Sequence, residues 1–419
     1  MQRLVARLLI FFIIFSLGLG VGSKYINKNT PTNTLNLEKN TDKAFIGEIY
    51  DKIKENYWDN ISDAQLIEMF KNASSALGNP LAQKIESKDQ LIKNLDLNQV
   101  AKLVSQVLAL LPPVGRSGLY TQKNEEQLKN TVNNVNPEKD LYKDLGLTKG
   151  ASSQAVQAAY QKKSEDLKKE NTPASLEKLK QITYSKDVLT KPDTKLRYDT
   201  AQVEPTVFTK IIGSTLYIQF KKFSPSSYDE FIKAFNTYQT DTTLTGLIFD
   251  LRGNIGGAID ATPYFLGSFI GKGQYAFDFY HKGEYLPFKT PTEKLSSISK
   301  YKQVVILVDN NTQSSAEIMA ASFKKFHTGV VIGVPTKGWG TVEKVFPLDN
   351  QISKSEKYSI FLVHSITLRD DNLPIEGRGV EPDINIKNPN WQNELSKYFN
   401  YSQLSSVVAD LYSSGEFLK

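Results

Sequence analysis

Two serines stand where a buried strand runs into a helix, and their position could support nucleophilic chemistry. The apolar segment 304–309 is followed by Asn-Asn-Thr-Gln, then by Ser314 and Ser315, and then by a run of helix formers. A hydroxyl at such a junction lies near the free N–H groups of a helix N-terminus, which favour a developing negative charge. Glu317 follows Ser314 at the spacing of a capping box, so the same pattern also fits an ordinary helix cap. Taken alone, the junction favours the cap.

A glycine-rich turn follows a second apolar strand, at residues 246–250. Residues 250–257 read Asp-Leu-Arg-Gly-Asn-Ile-Gly-Gly. Glycines there allow positive φ angles and a close approach of backbone N–H groups to a ligand. No Gly-Lys-Ser/Thr follows, so the turn is not a phosphate-binding loop. An ordinary turn explains this segment equally well when it is considered by itself.

Composition limits which side chains can act as acids or bases. The chain of 419 residues has no cysteine and only three histidines, His281, His327 and His364, which are scattered. Thiol catalysis and cysteine-ligated zinc are excluded, and we expect no metal and no cofactor. Acid–base chemistry is left to Lys, Asp or Glu, and His327 and His364 are expected to be structural. The net charge of +6 is mild and no basic stripe stands out, so we expect no nucleic-acid partner.

The N-terminus predicts an exported protein held at the cell membrane. Arg3 and Arg7 precede an apolar run at residues 8–22, as in an export signal, and no small-x-small cleavage site is evident. We favour an uncleaved single-pass anchor at residues 1–27 over a cleaved signal peptide, and either over a buried core helix. The charge before the run places the bulk of the chain outside the cytoplasm.

The remaining chain is expected to be multidomain α+β, because helical periodicity gives way to alternating strands and helices after residue 203. We predict a linker at residues 28–42, an N-terminal helical region at 43–113 and a second linker at 114–139. A helical insert at 140–202, an α/β core at 203–390 and a helical tail at 391–419 follow.

The helical insert resembles the J-domain of DnaJ-type co-chaperones. The likeness rests on Leu-Tyr-Lys-Asp-Leu-Gly-Leu at 141–147, on Ala159 with Tyr160, and on Tyr-Asp at 198–199. In that family a His-Pro-Asp loop, which stimulates the Hsp70 partner, should follow the helix of Tyr160. The chain has Lys-Lys-Glu at 168–170 and no histidine in the insert. The resemblance therefore implies the fold without the co-chaperone activity, and predicts a spacer or docking module.

Four ordered stretches together closely resemble the C-terminal processing, or tail-specific, serine peptidases. They are the glycine turn, the serine junction, Gly-Val-Pro-Thr-Lys-Gly-Trp-Gly-Thr-Val at 333–342 and Gly-Arg-Gly-Val-Glu-Pro-Asp at 377–383. The likeness extends over residues 216–386, and more weakly over residues 49–80. It implies a ClpP/crotonase-like α/β peptidase core, hydrolysis of proteins or peptides by acyl transfer, and self-association through the terminal helical regions.

By position, the resemblance makes Ser314 the nucleophile and the backbone N–H groups of Gly257 and Ser315 the oxyanion donors. The lysine that serves as general base in this family is replaced here by Trp339, which cannot accept a proton. Lys337 shares a face with Trp339 if the segment is extended, and is a candidate for a displaced base.

A lysine base must be neutral, which requires burial to lower its pKa from about 10.4. The alternatives for Lys337 are therefore a displaced base and an exposed loop cation. Glu317 and Glu343 lie near the expected site and are candidates for orienting groups or accepting a proton.

Two interpretations of the whole chain remain open. The first is a membrane-anchored extracytoplasmic serine endopeptidase, which the presence of Ser314 and of the glycine turn favours. The second is an inactive pseudo-peptidase that binds peptides or scaffolds a partner, which Trp339 favours. The family usually has a PDZ domain between its N-terminal helices and its core, and this domain binds substrate C-termini. The J-like insert takes that place here, and no PDZ carboxylate-binding loop is found.

Overall fold

The computed structural model describes residues 34–93, 99–369, 371–399 and 402–413. Residues 42–419 form one compact unit, and residues 34–41 are the described part of the unit before it. The predicted anchor, residues 1–27, lies outside the described residues. No helix within the described ranges combines the length and the apolar character that crossing a membrane requires.

Within the described residues, four α-helices precede the first strand: α1 Thr34–Asn56, α2 Asp63–Ala76, α3 Lys88–Lys93 and α4 Val100–Leu110. Their apolar residues recur every three or four positions and are buried together, as in Ile49, Phe70 and Val104. Residues 34–42, which we expected to be a flexible linker, are instead the first turns of α1. No Gly or Pro interrupts that segment, so the helix continues backwards from its buried face.

The next part of the chain contains strand β1 Gly118–Thr121 and helix α5 Gln122–Val132, followed by the predicted helical insert. The insert has four helices, α6 Leu141–Asp144, α7 Ser153–Glu170, α8 Pro173–Thr190 and α9 Pro192–Ala201. They share a small core around Tyr142, Ile182 and Tyr198. Only two residues, Asn171 and Thr172, join the long helices α7 and α8. The relation of this insert to a J-domain stays a prediction.

Strands and helices then alternate. In chain order they are β2 Val207–Ile212, β3 Thr215–Phe220, α10 Ser227–Thr237, β4 Gly246–Asp250, α11 Thr262–Ile270, β5 Tyr275–His281, β6 Glu284–Lys289, α12 Ser296–Ser299, β7 Gln303–Val308, α13 Ser315–Lys325, β8 Val330–Gly333, β9 Thr341–Pro347, β10 Tyr358–Thr367, β11 Ile384–Asn385, α14 Trp391–Tyr398 and α15 Ser402–Ser413. The described chain is thus a mixed α/β fold. The finer assignment to a ClpP/crotonase-like core stays a prediction.

The eleven strands of the described chain form two sheets. The first has the order β11-β8-β7-β4-β3-β2 and is parallel except for the edge strand β2. Alternate residues of its strands bury opposite faces: Phe249 and Ile306 pack with α10, α11 and α13, and Ile248 and Val305 pack with α14 and α15. The second sheet is antiparallel, with the order β1-β10-β5-β6 and with β9 also paired to β10.

Candidate active site

The glycine turn and the serine junction meet at one edge of the first sheet. Strands β4 and β7 are parallel neighbours, so the segments that follow them leave the sheet side by side. The Gln313 N–H donates to the Asn254 carbonyl oxygen (2.9 Å), and a Cβ placed on Gly256 would lie 2.6 Å from Ser314 Cβ. Only glycine leaves room for the serine there. The structure thus brings Ser314, Ser315 and Gly257 together, as the sequence predicts.

Ser314 has a strained backbone that an ordinary helix cap does not need. Its φ and ψ are 57° and −126°, a combination that residues with a Cβ rarely adopt. The serine caps of α2 and α7, Ser62 and Ser152, have φ of −72° and −67° and extended ψ values instead. Such strain costs about 1–3 kcal/mol and concentrates at functional sites. The backbone therefore favours the nucleophile interpretation over the simple cap.

Two backbone N–H groups beside Ser314 are available to a substrate oxygen. The backbone of Phe223 pairs with the two neighbours of Gly257: its N–H donates to the Gly256 carbonyl (2.9 Å), and its carbonyl accepts the Ala258 N–H (2.7 Å). Ser315 is the first residue of α13, where N–H groups lack helical partners. Among the described residues, neither the Gly257 nor the Ser315 N–H has an acceptor. The Ser315 hydroxyl also donates to the Gly257 carbonyl (3.2 Å).

Glu317 ties Ser314, the predicted nucleophile, to the loop in which the family resemblance places the base. Its side chain is fully buried. One oxygen accepts the N–H groups of Ser314 (2.9 Å) and Trp339 (2.8 Å), and the other accepts the Thr336 hydroxyl (2.5 Å) and the Gly338 N–H (2.7 Å). Burial raises the pKa of Glu317, and these four donors oppose that rise. Each oxygen of Glu317 already accepts two donors, an arrangement that favours an orienting role over proton acceptance from Ser314.

Trp339 is fixed at the position of the expected lysine. The Arg116 guanidinium carbon lies 3.5 Å from the centroid of its ring. Its indole N–H donates to Glu343 (3.1 Å), which also accepts the Thr341 hydroxyl (2.5 Å). Burial raises the pKa of the Glu343 carboxyl. Sequence reasoning predicted Glu343 near the site but gave no signal for Arg116, which lies outside the four motifs.

Arg116 also holds the backbone next to Trp339. Its Nε and Nη2 donate to one oxygen of Glu376 (3.2 and 3.0 Å), and the other oxygen of Glu376 accepts the Gly340 N–H (2.8 Å). The segment that follows the N-terminal helices is therefore bound to both sides of residues 339–340.

The Lys337 side chain points away from a buried environment. It is exposed, and its ammonium lies 5.9 Å from the centroid of the Trp339 ring. Its backbone N–H donates to the Thr312 carbonyl (2.9 Å). The burial that a neutral lysine base requires is absent from this arrangement, so the displaced base needs a movement of the side chain.

A buried ion pair supports the glycine turn, and the sequence alone did not single it out. Asp250 and Arg252 are 0% and 4% exposed, and the Arg252 Nη2 lies 2.7 Å from Asp250 Oδ2. The Tyr217 hydroxyl donates to the same carboxylate (2.6 Å), and Arg252 Nη1 donates to the Leu411 carbonyl (3.2 Å). The Asp-x-Arg spacing at the end of β4 is the signal that would have found the pair.

The histidines lie outside this cluster of hydrogen bonds. His281 and His364 stack on each other with ring centroids 4.3 Å apart in the second sheet. Within the described part of the chain, no group of three or more His, Asp or Glu side chains could hold a metal ion.

Residues 214–386 match the model of peptidase family S41. Two C-terminal processing proteases are among the curated proteins to which the chain is similar. The C-terminal processing protease CtpA of Bacillus subtilis is 27% identical over 230 residues, which are 54% of this chain and 44% of that protein. The carboxy-terminal-processing protease of Bartonella bacilliformis is 24% identical over 213 residues, covering 50% of this chain and 47% of that protein. The match thus spans less than half the length of each relative.

Solved structures were also matched. The photosystem II D1 C-terminal processing protease has a TM-score of 0.49 and 13% identity, covering 82% of this chain and 92% of that one. A lipoprotein from Streptococcus agalactiae has a TM-score of 0.45 and 14% identity, covering 90% of this chain and 99% of that one.

Proposed function

We propose that this chain is a serine endopeptidase that cleaves proteins or peptides with Ser314 as nucleophile. One observation carries the proposal: Ser314 is held in a strained conformation between two N–H groups, those of Gly257 and Ser315, that have no acceptor among the described residues. Backbone strain at Ser314 and N–H groups without acceptors both lower the stability of the fold. Such features fit a site for acyl transfer, where the strain orients the hydroxyl and the N–H groups bind the substrate oxygen.

The reaction follows from this geometry. The Ser314 oxygen attacks the carbonyl carbon of the peptide bond, and the carbonyl oxygen becomes an oxyanion that accepts hydrogen bonds from Gly257 and Ser315. The C–N bond then breaks, a proton passes to the leaving amine, and an ester joins the substrate to Ser314. Water hydrolyses that ester. The proton that leaves Ser314 needs a base, and Lys337 serves only if its side chain moves from solvent into the site.

A second candidate function is peptide binding without hydrolysis. The observation that favours it is the fixed position of Trp339, which Arg116 stacks against and Glu343 bonds at its indole N–H. An indole cannot take up the serine proton, so a site built around it binds the peptide but lacks the base.

We also propose that residues 1–27 anchor the chain in the cell membrane as a single pass, with the bulk outside the cytoplasm. Support comes from the basic and apolar N-terminal sequence alone. Docking by the helical insert and self-association through the terminal helical regions stay predictions of the same kind.

The deciding experiment compares full-length variants in detergent. Hydrolysis of unfolded casein and labelling by a fluorophosphonate are measured for the wild type, Ser314→Ala, Ser315→Ala and Lys337→Ala. We expect Ser314→Ala to lose both signals, whereas Ser315→Ala keeps its backbone N–H and most of its labelling. Activity that survives Ser314→Ala rules out the nucleophile, and full activity in Lys337→Ala rules out only the displaced base. If the wild type is inert and Trp339→Lys gains activity, only the base is missing from the site, and proteolysis by the wild type is ruled out.

A further inference from the structure

A cavity of about 860 Å³ lies away from Ser314, where three parts of the chain meet. One wall comes from α5 and the segment after it, a second from α8, and the third from the residues that flank β2 and β3. The lining is polar, with Asn130, Asn134 and Gln181 among its amides, and it has a single aromatic side chain, Tyr184. No step of the proposed reaction uses this cavity.

Among the lining residues that are not exposed, three lysines, Lys139, Lys221 and Lys222, stand against one glutamate, Glu204. The ammonium groups of Lys139 and Lys221 lie 4.3 and 5.2 Å from the centroid of the Tyr184 ring. The only buried carboxylate in the lining is that of Glu204, which accepts the Tyr184 hydroxyl and lies 3.8 Å from the Lys139 ammonium. The other charged lining residues, Glu138, Glu177 and Lys180, are exposed, so solvent screens their charges.

Lys222 is the lining residue to which a bound anion would add an ion pair. Its side chain is half-buried, and its ammonium donates to the Thr131 carbonyl (2.7 Å). It forms no ion pair with any residue in the described ranges. Burial lowers the pKa of Lys222, and the charge of Glu204 only partly opposes this. An ammonium has three N–H donors, so a bound carboxylate would use a remaining one and offset the cost of burial.

We propose that this cavity binds a carboxylate group of a peptide, with Lys222 and Lys221 as its main contacts. The carboxylate comes either from an acidic side chain or from a peptide C-terminus, because both present the same two oxygens to a lysine. The proposal needs no hydrolysis at Ser314.

The position of Lys222 connects the cavity to the oxyanion donors. Lys222 precedes Phe223, whose backbone holds Gly256 and Ala258 on either side of Gly257. The Lys222 carbonyl also accepts the Ser227 hydroxyl (2.9 Å), which fixes the backbone between the cavity and the turn. A carboxylate at Lys222 therefore binds one residue from the segment that orients a substrate-binding N–H.

The test measures peptide binding by fluorescence anisotropy with full-length Ser314→Ala protein in detergent, so that binding is scored whether or not the wild type cleaves. Three fluorescein-labelled probes are compared: an alanine–glycine peptide with a free C-terminus, the same peptide amidated, and an amidated peptide containing glutamates. We expect at least one carboxylate probe to bind about tenfold more tightly than the neutral amide, a difference of about 1.4 kcal/mol. Tight binding of the free acid alone assigns the C-terminus, and tight binding of the glutamate probe assigns acidic side chains.

Variants locate the binding. Lys222→Gln and Lys221→Gln should each weaken the carboxylate probe about tenfold, and Lys222→Arg should retain binding. Lys233→Gln is the matched control, since Lys233 is an exposed lysine outside the cavity that pairs with Asp193. The proposal is overturned if no carboxylate probe binds more tightly than the amide. It is equally overturned if both cavity variants, folded as judged by thermal unfolding, bind like Lys233→Gln.

Discussion

The guanidinium of Arg116 lies against the face of Trp339, 3.5 Å from the ring centroid, and so covers the residue at the position where the family resemblance predicts a lysine. The contact joins the segment after the N-terminal helices to the loop bound by Glu317. A stack of this kind contributes about 0.5–2 kcal/mol, depending on how well water is excluded. Arg116 thereby couples a distant part of the chain to the active-site loop.

Removing Arg116 should free Trp339. In a Trp58→Phe/Trp391→Phe background Trp339 is the only tryptophan left, because the chain has three. Arg116→Ala should shift the Trp339 emission to longer wavelength and increase its quenching by acrylamide, with Arg116→Lys intermediate because lysine lacks the two-pronged geometry. Arg197→Ala breaks another Arg–Glu pair, with Glu230, and serves as the control. Equal quenching in the two alanine variants would contradict the coupling.

The two glycines of the active-site turn should respond differently to alanine. A Cβ on Gly257 would lie 2.1 Å from the Phe223 carbonyl oxygen at a φ of +136°, whereas Gly253 has a φ of +69° and open space. Gly253→Ala should cost about 1–2 kcal/mol of unfolding free energy from its left-handed φ. Gly257→Ala should cost more and abolish fluorophosphonate labelling, because the backbone must move. Urea unfolding and labelling measure both, and matching losses would show that the close approach is not required.

Glu317→Gln should loosen the site although the change is nearly isosteric. The amide offers one acceptor oxygen, so its NH2 group faces two of the four donors that the carboxylate now accepts. Unsatisfied buried donors cost about 1–3 kcal/mol each, and we expect a loss of at least about 2 kcal/mol together with slower labelling of Ser314. Glu381→Gln, at an exposed position, should change stability by less than about 0.5 kcal/mol. Wild-type stability and labelling in Glu317→Gln would refute the clamp.

Breaking the buried ion pair should destabilise the whole core. Asp250→Asn leaves the Arg252 charge buried without its partner, and such a loss costs about 3–5 kcal/mol. The matched change at the surface is Glu68→Gln, which removes an exposed pair with Lys71 and should cost about 0–1 kcal/mol. Chemical unfolding gives both values, and comparable losses in the two variants would argue against a buried charge.

Acid should weaken the fold through His364. Burial lowers the pKa of His364 to about 4, and electrostatic interactions with Lys344, His281 and Lys282 lower it further. Below a pH of about 6.5 the unfolded chain binds a proton at this histidine, whereas the folded protein does not bind it until the pH is near 4. The free energy of unfolding therefore decreases as the pH falls through that range, and this contribution is fully present above a pH of about 6.5. The urea midpoint should therefore fall less between pH 7 and pH 5 in His364→Gln than in the wild type. His327→Gln should keep the wild-type dependence, and an unchanged slope in His364→Gln would exclude this origin.

The sequence predicted the parts of the site that depend on local pattern. A strand, a serine and a helix follow one another within a few residues, and the glycines of the turn indicate positive φ angles. Ser314, Ser315 and Gly257 could therefore be predicted to lie together. The surroundings of Trp339 could not be predicted, because Arg116 and Glu376 reach it from far along the chain. The exposure of Lys337 and the pairing of β1 with β10 likewise depend on contacts between distant segments. The linker was expected at residues 28–42, and residues 34–42 are helical instead, because polar composition alone does not end a helix.

The hydrogen bond from Arg252 to the Leu411 carbonyl has a consequence for biosynthesis. The chain is made from its N-terminus, so Gly257 and Ser314 leave the ribosome well before α15 does. Until α15 docks, Arg252 has its ion pair with Asp250 but lacks the acceptor that ties the glycine turn to the end of the described chain. A nascent chain therefore carries Ser314, the proposed nucleophile, before the surrounding turn is complete, and the order of synthesis itself delays completion of the proposed site.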